Sequence, residues 1–270
     1  MKIGIVGLGL IGSEVQRQAV LGGWKILGLA RRSGIYTSQG KQATELSEWT
    51  RFFSTADAMA LCISTVDTGE AAFRYIDHFT SQGIPVVTCE KGALGNFFPE
   101  LQSRLKLIGY SATVGGGTRI IHWAKDRITS STQEIHLVIN GTLNFIFDGL
   151  SRGRALDEMV REAATLQYVE PNAFSPLDIL NTETNRDIPM KIAVFLNLCG
   201  IAKIRARSIS ATPLSEQDMK RLVREARIRR YVVSLTREEF DEEDRIGGFL
   251  LAVDGWHISA GFKDITQNPL

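Results

Sequence analysis

Cysteine is scarce. The 270 residues hold three, Cys62, Cys89 and Cys199, far apart and forming no C-x-x-C pair. An odd, sparse set argues against a disulfide framework and fits a reducing, cytoplasmic setting. Net charge is almost absent as well, 31 basic against 30 acidic side chains. Nothing therefore draws the chain to nucleic acid or to an anionic membrane surface. No apolar run reaches the roughly 20 residues that cross a bilayer. The opening apolar segment carries a single Lys2 and no small-residue cleavage pattern, so it reads as a strand rather than a secretory leader. Repeats, low-complexity tracts and long linkers are missing. The four histidines, His78, His122, His136 and His257, show no metal-ligand spacing, and no metal site is expected.

What is present is an alternation. Short apolar runs at Met1 to Val6, Lys25 to Ala30, Met59 to Ser64 and Pro85 to Thr88 are separated by segments with helical spacing, Ile11 to Leu21 and Glu70 to Phe79. A further helix is expected over Asn96 to Leu105 and a strand over Leu107 to Val114. Buried strands alternating with helices predict a parallel sheet covered on both faces. After about Ala124 the pattern changes. Gln133 to Ile139 alternates apolar and polar residues, as a strand with one wet face does. Ala155 to Leu166 and Ile188 to Leu198 read as helices, Tyr168 to Asn185 as irregular, Arg227 to Leu235 as a strand, and Gly248 to Phe262 as a closing strand pair. The expected class is α/β: an N-terminal Rossmann domain, a doubly wound parallel sheet over residues 1–126, then an α+β substrate-binding and dimerisation domain over residues 127–270.

The first apolar run ends in Gly7-Leu8-Gly9-Leu10-Ile11-Gly12, a G-x-G-x-x-G between a strand and a helix. In such a loop the first glycine permits the tight turn, the second lets backbone approach a pyrophosphate, and the third lets helix and strand pack closely. The free N–H groups and positive dipole end of the helix then face the phosphates. Gly7, Gly9, Leu10, Ile11 and Gly12 are the candidate cofactor contacts; a purely structural glycine turn is the alternative. NAD sites usually place an acid at the end of the second strand. Here stand Arg31, Arg32 and Ser33, which suit a 2′-phosphate through charge-assisted hydrogen bonds. NADP is therefore favoured, with NAD possible and with a plain surface arginine pair as the other reading. Ser64 and Thr65, ending the third strand, are weaker cofactor candidates.

Five later stretches resemble the homoserine dehydrogenase family in order: Val86-Val87-Thr88-Cys89-Glu90-Lys91-Gly92-Ala93-Leu94, Ser111 to Thr118 with its Gly115-Gly116-Gly117, Asn140-Gly141-Thr142-Leu143-Asn144-Phe145-Ile146, Tyr168-Val169-Glu170-Pro171, and Asp187-Ile188-Pro189-Met190-Lys191. The resemblance implies hydride transfer between NADP(H) and L-homoserine or L-aspartate 4-semialdehyde, in a cytoplasmic homodimer of amino-acid biosynthesis. It implies Lys91 and Lys191 as the catalytic lysines, and Glu170, Asp187, Asn140, Gly141 and Thr142 as substrate-binding residues.

Chemistry and residues agree, since hydride transfer to a carbonyl needs a partner proton at oxygen, and a lysine can supply it. Lys191 lies one helical turn from Asp187. Asp187 as a helix cap, Glu170 as a loop acid, and Asn140 and Thr142 as turn residues remain open alternatives. Three positions depart from the family pattern: Glu90 replaces an asparagine, Ser111 a glutamate linked to a monovalent cation site, and Arg119 a common proline. The family's G-P-G-A-G-type stretch and last helix find no match. The rival functions are a divergent dehydrogenase of another small amino or hydroxy acid, and a non-catalytic dinucleotide-binding homologue.

Overall fold

The computed structural model describes residues 1–31, 33–41, 46–65, 68–169, 173, 175–239 and 244–266. The chain divides into two compact units, Met1–Lys125 with Ala193–Leu198, and Asp126–Ile192 with Cys199–Leu270.

The first unit runs β1 (Lys2–Val6), α1 (Leu10–Leu21), β2 (Lys25–Arg31), β3 (Gly34–Thr37), β4 (Gly40–Lys41), α2 (Leu46–Phe53), β5 (Ala58–Leu61), α3 (Glu70–Ser81), β6 (Val86–Thr88), α4 (Gly92–Asn96), α5 (Phe98–Leu101) and β7 (Ile108–Gly109), with α6 (Ile120–Arg127) beginning in it. The sheet order is β4-β3-β2-β1-β5-β6-β7. Strands β2, β1, β5, β6 and β7 are parallel, and β3 and β4 add to β2 antiparallel. Pleat alternation explains the two covered faces. Ile3 and Ile5 of β1 pack with Ala19 of α1, while a side chain at Gly4 would strike Met59 and Phe53, the latter from α2. This is the Rossmann-type α/β architecture.

Two expectations are corrected here. The strand over Leu107 to Val114 is only Ile108–Gly109, because the chain turns into a 3-10 segment at Ser111–Thr113. The single helix over Asn96 to Leu105 is broken into α4, α5 and a 3-10 stretch, Gln102–Leu107. Pro99 sits in the first turn of α5, where it starts a helix readily and cannot continue an earlier one.

The second unit holds β8 (Glu134–Leu137), α7 (Gly141–Ser151), α8 (Leu156–Thr165), α9 (Pro176–Thr182), α10 (Ile188–Cys199, of which Ala193–Leu198 group with the first unit), α11 (Glu216–Arg224), β9 (Arg229–Thr236), β10 (Ile246–Val253) and β11 (Trp256–Asp264). Its sheet, β10-β11-β9-β8, is antiparallel throughout. Phe147 of α7 packs on Phe262 of β11 with ring centroids 4.7 Å apart.

The stretch expected to be irregular, Tyr168 to Asn185, is largely helical from Pro176 onward. Ser175 caps α9 in a reciprocal capping box with Asp178, a signal present in the sequence as S-x-x-D. Helix α9 then runs into α10 through a π-helical turn, Glu183–Asp187. Pro189, in the first turn of α10, has no N–H to donate and its ring crowds the carbonyl four residues back. A widened turn immediately before it keeps the helix continuous. Asp187 consequently lies inside a continuous helical run and does not cap α10.

Candidate functional site

In the first unit the site is made of backbone. Gly7 has φ +89°, and a side chain there would come within 2.5 Å of the Cys62 carbonyl oxygen. At Gly12 an added Cβ would lie 1.9 Å from the Gly7 carbonyl oxygen. A Cβ at Gly9 would meet nothing within 4 Å. The three glycines thus divide the roles: turn, close packing and open approach. Gly9 caps α1 without any side-chain hydrogen bond, and Leu10 and Ile11 are exposed at the helix start. The Gly7 amide donates to the Ala30 carbonyl at 2.9 Å, which ties the turn to the end of β2 beside Arg31. These residues fit a dinucleotide diphosphate, as an accessible concave turn with a helix dipole behind it. Arg32 lies outside the described residues.

Beyond β6, the Glu90 side chain is committed to capping α4. Its carboxylate accepts from the Gly92 amide at 2.7 Å and the Ala93 amide at 2.9 Å, and Thr65 also hydrogen-bonds to it. Burial pushes its carboxyl above the usual range, opposed by those donors and by the nearby Lys91 charge. The replacement of asparagine by Glu90 therefore has a local structural use. Thr65 is half-buried against this cap and Ser64 is exposed. Lys91, half-buried, is the residue at which α4 begins.

In the second unit the site is made of side chains. Asn140 caps α7, its Oδ1 accepting from the Leu143 amide at 2.7 Å. Its Nδ2 donates to Glu183 Oε2 at 2.6 Å and to Asp187 Oδ2 at 2.8 Å. Asp187 Oδ2 also pairs with Lys191 Nζ at 2.6 Å, and Lys191 donates to the Ile139 carbonyl at 3.0 Å. Glu183 and Asp187 are 2% and 3% exposed, so one amide and one ammonium hold together two acids that would otherwise repel in a poorly solvated place. A cavity of about 420 Å³ opens here, lined by Gly141, Thr142, Tyr168, Glu183, Asp187 and Lys191. Thr142 Oγ1 donates to the Tyr168 carbonyl at 2.5 Å, fixing the start of the Tyr168-Val169-Glu170 stretch against α7. Glu170 itself lies outside the described residues.

Asn140, Gly141, Thr142, Asp187 and Lys191 are thus gathered at one cavity, whereas Lys91 belongs to the other unit. Glu183 is the residue the sequence reading missed. The signal was available: Glu183, Asp187 and Lys191 recur every four positions, a spacing that sets charged residues on one helix face.

A parallel sheet with this glycine turn at the carboxyl end of its central strand β1 defines the Rossmann-type fold. A family model described as homoserine dehydrogenase matches residues 120–253. Homoserine dehydrogenase of Pyrococcus horikoshii is 30% identical over 102 residues, 36% of this chain and 32% of the relative. The NAD(+)-dependent homoserine dehydrogenase of Pseudomonas canavaninivorans is 26% identical over 152 residues, 54% of this chain and 42% of the relative. The chain therefore spans 32% and 42% of the length of these curated relatives. Among solved structures, homoserine dehydrogenase from Thermoplasma acidophilum aligns with TM-score 0.67 and 17% identity, over 99% of this chain and 84% of that one. A hyperthermophilic archaeal homoserine dehydrogenase in complex with NADPH aligns with TM-score 0.66 and 18% identity, over 100% and 83%. At such identities the structures establish the fold. The chain is thus similar to homoserine dehydrogenases, with the family match over residues 120–253, just under half of the chain.

Proposed function

We propose that the protein interconverts L-aspartate 4-semialdehyde and L-homoserine with NADP(H), NAD(H) being the lesser partner. The observation that carries this reading is the charged cavity of the second unit. A zwitterionic amino acid needs carboxylates for its ammonium and donors for its carboxylate, and Glu183, Asp187, Lys191 and the first turn of α7 supply both signs in one place. In this reading Gly7, Gly9, Leu10, Ile11, Gly12, Arg31 and Arg32 hold the dinucleotide in the first unit, with Ser64 and Thr65 beside them. Its relative from Pseudomonas canavaninivorans is named for NAD(+) and the hyperthermophilic archaeal one is in complex with NADPH, so both dinucleotides occur in this group.

When bound, the nicotinamide supplies or accepts the hydride. The chain's own residues do the rest. Glu183 and Asp187 fix the substrate ammonium, joined by Glu170. Asn140 keeps the two acids in register and so fixes the substrate's orientation. The Lys191 ammonium, held by Asp187 and the Ile139 carbonyl, donates its proton to the carbonyl oxygen as that oxygen gains negative charge, and recovers it in the reverse direction. Lys91 acts as the second lysine, in proton transfer or substrate binding. The assembly is a cytoplasmic homodimer through the second unit, which light scattering in solution tests. No helix among the described residues is long and apolar enough to cross a membrane.

The test is direct. Purified protein is mixed with NADPH and L-aspartate 4-semialdehyde, and absorbance at the reduced nicotinamide band is followed. Steady oxidation is expected, slower with NADH and slower with semialdehydes that lack the α-amino group. Tight NADPH binding with no turnover of any small aldehyde or keto acid would contradict the reading.

A further inference from the structure

We infer that Tyr36 is a positioning residue for the adenosine 2′-phosphate, setting the choice of NADP over NAD; this rests on the dinucleotide reading above and deepens it.

The observations lie in the short antiparallel extension of the parallel sheet. Leu29 pairs across with Tyr36, Arg31 with Gly34, and Tyr36 with Lys41. Leu29 packs on the cluster of Ile3, Ile5 and Ala19, so residues in its register face the α1 side of the sheet, the side of the glycine turn. Arg31, Tyr36 and Lys41 all occupy that face. The Arg31 guanidinium lies over the Tyr36 ring, 5.7 Å from its centroid. The Tyr36 hydroxyl shares a hydrogen bond with Ser33 Oγ at 2.9 Å. One aromatic side chain thereby holds a cation by its face and a hydroxyl by its edge, and both are phosphate donors. Gly34, opposite Arg31, brings no side chain into the space beside the guanidinium.

Charge supports the same ligand. From Leu29 to Thr44 the sequence holds no carboxylate and three cations, Arg31, Arg32 and Lys41. A ribose carrying two free hydroxyls is usually held by a carboxylate there, and this stretch has none; a ribose phosphate suits the cations it does have. A long exposed arginine loses rotamer freedom on gripping a phosphate. Resting on Tyr36, it has lost part of that freedom beforehand.

The test uses the full chain with 2′,5′-ADP and 5′-AMP, which differ only in the phosphate. Wild type should bind 2′,5′-ADP the more tightly. Tyr36→Leu should cut that preference by about tenfold and Tyr36→Phe, which keeps the ring beneath Arg31, by about two- to threefold, from the usual strength of cation–π and hydrogen-bond contacts. In an Arg31→Ala background, Tyr36→Leu should change the preference little, because Tyr36 acts mostly through Arg31. A preference unmoved by Tyr36→Leu overturns the inference. Should Tyr36→Leu fail to fold, an unchanged preference in Tyr36→Phe overturns it instead. Wild type that binds both probes equally well sinks the inference and leaves the dehydrogenase reading standing. Loss of both probes in wild type sinks the dinucleotide reading with it.

Discussion

The glycine turn of the first unit is built from backbone, whereas the charged cavity of the second is built from side chains. Around Gly7, Gly9 and Gly12 the useful feature is the absence of Cβ atoms, at two positions because something is already there and at one because nothing is. Around Asn140, Glu183, Asp187 and Lys191 the useful feature is a set of mutually dependent polar groups, each bound to the next. The lesson concerns robustness. A backbone site survives the loss of most side chains and fails on the gain of one methyl group; a side-chain site fails when any one member is removed.

Substitutions can break this contrast, and the largest effect is expected at Gly12. Gly12→Ala places a methyl group 1.9 Å from a backbone carbonyl that cannot swing aside. It should destabilise the chain by about 3 kcal/mol and abolish NADPH fluorescence enhancement, with urea denaturation giving the first figure. Next comes Asp187→Ala. It strands a mostly buried Lys191, 16% exposed at its side chain, and should cost about 2–3 kcal/mol, the low side of the range for an opened buried ion pair because some solvent reaches it. NADPH affinity should stay within twofold of wild type, since the first unit is untouched. Asn140→Ala removes the α7 cap and the donor shared by two acids; about 1–2 kcal/mol should be lost, with a rise in KM for the amino-acid substrate. Gly9→Ala sharpens the comparison from the other side. Its melting curve should shift by less than about 0.5 kcal/mol equivalent, yet dinucleotide affinity should fall about tenfold as the open approach is narrowed.

The smallest expected effect is a difference in pH dependence. In the first unit, burial raises the Glu90 carboxyl above its ordinary 4.5. A raised acid binds more proton when folded than when unfolded. Its stabilising contribution is complete below about pH 4.5 and is lost as pH climbs through the raised value. In the second unit, Arg221 and Arg229 grip Glu225 and Asp244 and hold both carboxyls below their ordinary 4.5 and 3.8. That contribution is present above those values and disappears as pH falls below them. Stability followed by urea denaturation should therefore gain from Glu90 as pH falls through its raised value, while α11 and β9 are weakened only in stronger acid. Glu90→Gln should flatten the first trend and leave the second. The Cys62 thiol, pushed up to about 12 by burial and by neighbouring Cys89, should react with disulfide reagents at pH 8 far more slowly than a free thiol.

Legibility in the sequence follows the same division. The glycine turn, the parallel strands and α1 could be read because spacing alone defines them: G-x-G-x-x-G after an apolar run has few other structural meanings. The antiparallel addition of β3 and β4 was not read, since strands of four and two residues give too short a pattern to show a period. Nor was the π-helical turn, which depends on Pro189 meeting a helix that tertiary packing keeps continuous. Asn140, Asp187 and Lys191 were legible as members of a motif. Their arrangement as one hydrogen-bonded set, and the place of Glu183 in it, required the fold, because Asn140 and Glu183 are 43 residues apart.

In the proposed reaction the second unit supplies the proton through Lys191. The most direct measurement is single-turnover oxidation of NADPH by L-aspartate 4-semialdehyde in wild type and in Lys191→Ala, alongside the NADPH dissociation constant of each. The expected result is an unchanged dissociation constant with the turnover rate reduced by about 100-fold or more, the usual scale of a lost general acid. A Lys191→Ala protein that consumes NADPH at the wild-type rate would contradict it.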